Sequence, residues 1–283
     1  MNLCRRLWKY LLVSVILYAT VFLNLDRIRQ YSNESSAIQI TESLTYEARN
    51  KIYVAQFKDQ NHTYQFLTVP KKSCTNNTKL QITILSTAGN FEIRQAIRDT
   101  WANPNNSKHV ENNDVRISFI VSAAQNQFLN YSLQKEIEVF DDIIVTNLYE
   151  SYELLILKVH AILNYKQNFC ESADFQLKID DDMAVYMDGL FDALSDKKQA
   201  SVDGISGIIW KNSPPDVFWT GIIAKALRIR QINWSNHLLR YVIELIPSRL
   251  KCLKGKPLIY AVHNMKGPKM IHDGYQKITG VKC

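Results

Sequence analysis

The stretch Lys178-Ile-Asp-Asp-Asp-Met183 ends a hydrophobic run in three consecutive carboxylates. Crowded together without a partner, three carboxylates repel one another, and a divalent cation is the economical way to hold them. On an extended backbone alternate side chains project to one side, so Asp180 and Asp182 form an Asp-x-Asp pair that faces one way. One of the two then meets a ribose hydroxyl while the other holds a metal that bridges two phosphates. The competing reading is a solvated acidic turn, and the position directly after a strand favours the site. Arg94 and Arg98 lie four apart on one helical face, suited either to an anionic nucleotide or to locking that helix onto a sheet. Lys158 is open to two readings of equal weight, a partner for the acidic run or for phosphates and a plain surface lysine. Trp101 reads as core packing rather than as a stacking surface for a ligand. Neither a G-x-S-x-G nucleophile elbow nor a G-x-x-x-x-G-K-S/T phosphate loop occurs in the chain.

Alternating strand and helix signals surround these residues. Strands are expected at Leu80–Ser86, Val115–Val121, Ile143–Val145 and Asp174–Ile179, with helices at Glu92–Trp101 and Tyr152–Tyr165. Such alternation predicts an α/β domain with a largely parallel sheet, in which ligands sit beyond the carboxyl ends of the strands. With 283 residues and 46% hydrophobic content, the chain supports one sizeable domain plus accessory segments.

The N-terminus reads as membrane-directed. Leu7 to Leu25 is apolar apart from Lys9, Ser14, Thr20 and Asn24, and Arg5 and Arg6 precede it. As a helix it spans roughly 28 Å, close to a hydrocarbon thickness of about 30 Å. Lys9 can snorkel to the headgroups, and the flanking basic residues favour a cytosolic N-terminus. A signal anchor fits better than a cleaved signal peptide, because no small-x-small cleavage site follows the run. The expected organisation is a tail at 1–6, a transmembrane anchor at 7–25, a stem at 26–79, polar and rich in sequons with room for a short strand at Lys51–Phe57, and a globular domain at 80–283.

Sequons at Asn33, Asn61, Asn76, Asn105, Asn130 and Asn233 agree with a lumenal location downstream of the anchor. Cys74, Cys170, Cys252 and Cys283 are an even set for an oxidising compartment, with three complete pairings open. The net charge of +7 is scattered, and no basic helix with interleaved aromatics marks a nucleic-acid face. Nucleic acid is therefore not an expected partner.

Three ordered segments together resemble the beta-1,3-galactosyltransferase and beta-1,3-N-acetylglucosaminyltransferase family. They are Arg94-Gln-Ala-Ile-Arg98-Asp-Thr-Trp101, then Asp142 to Tyr152 with Leu157-Lys158, then Phe175 to Met183. The resemblance implies a GT-A-like (Rossmann-like) fold, a manganese-dependent UDP-sugar donor, and inverting transfer to a 3-hydroxyl of a glycan acceptor on a glycoprotein or glycolipid. It implies a type II Golgi membrane hexosyltransferase acting in protein glycosylation, with UDP-galactose or UDP-N-acetylglucosamine as donor. Donor-binding roles fall on Arg94, Arg98, Lys158, Asp180 and Asp181, and metal ligation on Asp182. His263, in Ile259-Tyr-Ala-Val-His-Asn264, falls where related enzymes carry a late histidine that completes the metal site; a structural histidine after a strand is the alternative.

The later part departs from the family pattern. Pro215-Asp216-Val-Phe-Trp-Thr-Gly221 resembles the segment that carries the catalytic base, with proline in place of glutamate, which makes Asp216 the expected base. Only 34 positions separate Asp182 from Asp216, so the acceptor stretch between 183 and 215 is shortened. Glu150 stands where aspartate is usual, and Leu154 and Ile156 replace the usual Asn and Thr. Three readings follow: an active transferase, a relative that binds UDP-sugar without efficient transfer, and an incompletely spliced product with a compromised fold.

Overall fold

The computed structural model describes residues 51–57, 60–72, 74–195, 204–207, 230–233, 237–239, 252–253 and 255–283. The expected tail and anchor, and the expected base Asp216, lie outside the described residues. Among the described residues no helix is long and apolar enough to cross a membrane.

A five-stranded sheet carries the fold, with strands β3 (Phe66–Thr68), β6 (Ile143–Thr146), β5 (Val115–Ser122), β4 (Leu80–Leu85) and β7 (Phe175–Asp180) side by side in that order. The last four run parallel, and β3 closes one edge antiparallel to β6. This is the mixed α/β architecture, with a mainly parallel sheet, that the alternating pattern implies. Every residue of the central strand β4 is buried, because helices cover both of its faces. Leu80, Ile82 and Ile84 enter the main core with Ala96, Ile97 and Trp101. Burying each such aliphatic side chain contributes about 1.5–3 kcal/mol. The other face carries Gln81 and Thr83, whose side chains bond one another at 2.7 Å, and Gln176 donates to Gln81 at 3.2 Å and to the Ile162 carbonyl at 2.9 Å. These polar groups are buried at low cost because they are paired.

The helices follow the strands in sequence. They are α1 (Phe91–Asp99), the single turn α2 (Lys108–Glu111), α3 (Gln127–Phe140), α4 (Leu155–Phe169), α5 (Met187–Ser195) and α6 (Pro268–Thr279). Asn126 caps α3 by accepting from the Leu129 amide at 2.8 Å. That helix ends on Asp141 in the left-handed region (φ 50°), from which the carboxylate accepts the amides of Lys71 and Lys72.

The domain begins before residue 80. Residues expected in the stem form the antiparallel hairpin β1 (Tyr53–Phe57) and β2 (Gln60–Tyr64), followed by β3 of the main sheet. Tyr53, Tyr64 and Phe66 are buried; the two tyrosines stack, and Phe66 meets both of them, and Tyr165 and Phe169 of α4, edge-on. Interspersed Gln, Asp, Asn and His residues disguise this apolar face in the sequence. Of the three pairings open to the four cysteines, the structure has Cys74–Cys170, which ties the segment before β4 to the end of α4, and Cys252–Cys283.

Topology decides where a ligand can sit. From β4 the chain winds through β5 to β6 on one side, then returns to place β7 on the other side of β4. Successive crossovers diverge between β4 and β7, and the loops after those strands frame a crevice at their carboxyl ends. Register places Leu85 beside Asp180, so the turn after β4 and the acidic run emerge level with each other.

Candidate metal and donor site

Asp180, Asp182 and His263 converge so that one ligand atom from each lies within 4.8 Å of the others. Strand β7 ends at Asp180 and Asp182 lies in the turn that follows, so the turn, rather than the strand alternation expected from the sequence, brings the two carboxylates together. His263 arrives from a distant part of the chain through a small second sheet. In it β9 (Ala261–Val262) pairs antiparallel with β8 (Ala184–Val185), Val262 opposite Ala184. The Met265 amide then donates to the Asp182 carbonyl at 2.8 Å, and the indole of Trp101 donates to the Met183 carbonyl at 2.9 Å. Trp101, wholly buried, is thus core packing and also a brace for the backbone that presents the carboxylates.

His263 Nε2 lies 3.0 Å from Asp182 Oδ1 and 3.9 Å from Asp180 Oδ2. The shorter approach is close enough for charge attraction but not aligned as a hydrogen bond, and Asp182 Oδ1 is buried without a hydrogen-bond partner. A buried carboxylate oxygen that makes no aligned hydrogen bond is costly unless positive charge meets it, from the imidazolium of His263 or from a metal ion. Two carboxylates and an imidazole suit a divalent ion of the manganese kind, so the residues present fit such a group. Contact with Asp182 raises the His263 pKa above the ordinary imidazole value, with burial acting the other way.

Asp181 points elsewhere. Its Oδ2 accepts from Ser86 Oγ at 2.7 Å and Asn90 Nδ2 at 2.9 Å, which ties the acidic run to the turn after β4. Burial pushes its pKa up, the bonds from Asn90 and Ser86 oppose this, and the charges of Asp182 and Asp180 add to the rise. Asn90 stands at the N-cap of α1 yet makes no capping bond with its side chain, which serves Asp181 instead. Asp180 therefore groups with the candidate ligands and Asp181 with the β4 turn, a different division from the one the family resemblance implies.

Arg94 is completely buried, and its five N–H donors all meet protein acceptors. Nε and Nη2 form a fork on Glu136 at 2.8 and 2.6 Å, Nη2 also reaches the Ala88 carbonyl, and Nη1 reaches Ser86 Oγ and the Thr87 carbonyl. Arg98 holds Asp142 bidentately at 2.8 Å and Glu136 at 2.8 Å, with its guanidinium over the Phe140 ring. Burial works against the charge on Arg98, but Asp142 and Glu136 outweigh it and hold the pKa above the ordinary guanidinium value. Of the two readings open to these arginines, the geometry realises the structural one: α1 is locked to α3 and β6. Their influence on the site is indirect, through Ser86, which Arg94 orients toward Asp181.

Lys158 is likewise turned inward, donating to both oxygens of Glu150 at 2.9 Å and to the Ser86 carbonyl at 2.8 Å. Burial lowers its pKa, and Glu150 opposes that shift. Sequence reasoning missed Glu136, Ser86 and Asn90. The signal for Glu136 was a lone acid between Leu133 and Ile137 in the segment that follows the two arginines.

Comparison with known proteins agrees with this geometry. The family model described as Galactosyltransferase matches residues 92–232. That span includes Arg94, Arg98, Lys158, Asp180 to Asp182 and Asp216, and it stops short of His263. Beta-1,3-galactosyltransferase 1 of Mus musculus is 32% identical over 130 residues, covering 46% of this chain and 39% of the relative. Beta-1,3-galactosyltransferase bre-2 of Caenorhabditis elegans is 30% identical over 142 residues, 50% of this chain and 39% of the relative. Hydroxyproline O-galactosyltransferase GALT6 of Arabidopsis thaliana is 34% identical over 122 residues, 43% of this chain and 17% of the relative. The matches thus span well under half the length of these relatives. With the three ordered motifs, the acidic run and the matched span in agreement, residues 92–232 carry a galactosyltransferase-family domain similar to that of beta-1,3-galactosyltransferases.

Proposed function

We propose that the chain is the lumenal glycosyltransferase of a type II Golgi membrane protein. It takes galactose or N-acetylglucosamine from the UDP-sugar and delivers it to a 3-hydroxyl of a glycan acceptor on a glycoprotein or glycolipid. The fold is read as GT-A-like. The observation that carries the proposal is the convergence of Asp180, Asp182 and His263 at the carboxyl edge of β7, where a buried Asp182 oxygen makes no aligned hydrogen bond.

Asp180, Asp182 and His263 hold a manganese ion in this reading. The ion supplies charge neutralisation for the departing diphosphate. Trp101 and Met265 fix the backbone that carries the two aspartates, and Ser86 and Asn90 keep Asp181 turned toward the β4 turn. Asp216 takes the proton from the acceptor hydroxyl as general base. Two cystines and exposed sequon asparagines at Asn61, Asn76, Asn105 and Asn130 support a secretory compartment, with 7–25 as the anchor.

One observation favours a second reading, in which UDP-sugar binding survives and transfer is impaired. Asp216 follows Asp182 by only 34 positions, and Pro215 restricts the backbone beside the base. Misplacing an acceptor by about 1 Å costs on the order of a hundredfold in rate. Transfer from UDP-galactose and UDP-N-acetylglucosamine to simple glycosyl acceptors, assayed on the secreted lumenal chain with and without manganese, decides between them. Manganese-dependent transfer that disappears in Asp216→Asn establishes the enzyme. Donor binding without transfer establishes the impaired relative, and neither binding nor transfer rejects both.

A further inference from the structure

We propose that Lys178 is a positioning and charge-balancing residue of the cation site, which holds Asp180 by one oxygen and couples metal binding to binding of an anionic diphosphate. The inference rests on the donor-site reading above and adds a residue to which neither motif nor resemblance gave a role. Lys178 and Asp180 are two apart on β7 and therefore share a side of the strand. Their contact is close, Nζ to Oδ1 at 2.7 Å. The other oxygen, Oδ2, faces His263 Nε2 at 3.9 Å. The carboxylate is thus divided, one oxygen held by an ammonium and one turned to the candidate ligands.

The surrounding cations make Lys178 distinctive. Arg94 and Arg98 are engaged by Glu136 and Asp142, and Lys158 by Glu150. Lys178 keeps 24% of its side chain exposed and touches a candidate ligand. An ammonium beside a divalent ion weakens the ion's binding by direct repulsion, and the same ammonium attracts the phosphates that the ion will meet. The site then takes metal poorly alone and well with diphosphate, which avoids holding the cation in a form that donor cannot use.

The substitution Lys178→Gln separates charge from position, because the amide can still donate to Asp180 Oδ1 while carrying no charge. Manganese affinity is read by electron paramagnetic resonance of the free ion, without nucleotide. UDP affinity is read by calorimetry at saturating manganese, and the thermal midpoint is followed as a control for folding. In Lys178→Gln the affinity for manganese alone is expected to rise on the order of tenfold. UDP affinity at saturating manganese is expected to fall by a similar factor, and Lys178→Arg to stay near wild type in both. Unchanged affinities in Lys178→Gln, or weaker binding of manganese alone at an unchanged thermal midpoint, would overturn the proposal. Should the wild type bind no manganese, the donor-site reading fails and takes this inference with it. Manganese binding in the wild type with no response to Lys178→Gln removes this inference alone.

Discussion

Replacing Arg94 by alanine is expected to cost the domain about 3–5 kcal/mol of stability, the range for leaving one partner of a buried ion pair uncompensated. A marginally stable domain has about 5–15 kcal/mol in total, so the variant will be poorly folded at physiological temperature. Glu136 keeps Arg98 but loses its forked partner, and the carbonyls of Thr87 and Ala88 lose their donors at the turn that faces Asp181. Lysine will not restore the lost stability, because a point ammonium cannot reproduce a five-donor fork. Urea denaturation of wild type, Arg94→Ala and Arg94→Lys measures the effect. A loss below about 1 kcal/mol, the size of an exposed ion pair, would show the network to be incidental. Weakened UDP binding at unchanged stability would return Arg94 to the role of donor contact.

The second large effect is an asymmetry within the acidic run. Asp182→Asn should reduce manganese affinity roughly a hundredfold, at or beyond the upper end of what loss of an outer-shell partner costs a metal site. Asp181→Asn should cost far less, because its carboxylate serves Ser86 and Asn90, and a carboxamide oxygen still accepts from both. Paramagnetic resonance titration of the two variants gives the comparison directly. Equal losses would mean that the run acts as an undivided patch of negative charge, and retention of affinity in Asp182→Asn would return it to a solvated turn.

How far the sequence disclosed these features depended on how local their causes are. Strands β4 to β7 were legible within a residue or two, because each is an apolar run that stops at a turn. The pairing of Asp180 with Asp182 was legible from the Asp-x-Asp spacing, although the strand stops at Asp180 and a turn, not strand periodicity, brings Asp182 beside it. Helix α3 was not, because Phe128, Tyr131 and Val139 are more than 60% exposed and scramble the apolar stripe that would announce it. Of the hairpin at 53–64 the first strand was legible at Lys51–Phe57, whereas its partner was hidden by polar residues and a sequon on its outer face. His263 reaches the acidic run through the register of β9 on β8, and long-range register of two-residue strands leaves no periodic trace.

The arginines show why residue type alone misleads. Two cations four apart beside a strand edge suit an anionic ligand and a buried carboxylate equally well, and the choice between them was made by Glu136, some forty positions away. The resemblance had assigned both to the donor. Geometry makes them the scaffold for Ser86 and, through it, Asp181.

Calorimetric titration of the purified protein with UDP, with and without manganese, tests the central claim that Asp180, Asp182 and His263 form a metal-dependent donor site. UDP is expected to bind in manganese and to weaken at least tenfold in chelator, with the manganese-dependent part of the affinity abolished by Asp182→Asn. UDP binding of equal strength in manganese and in chelator, or a folded chain that binds no UDP in either, would contradict it.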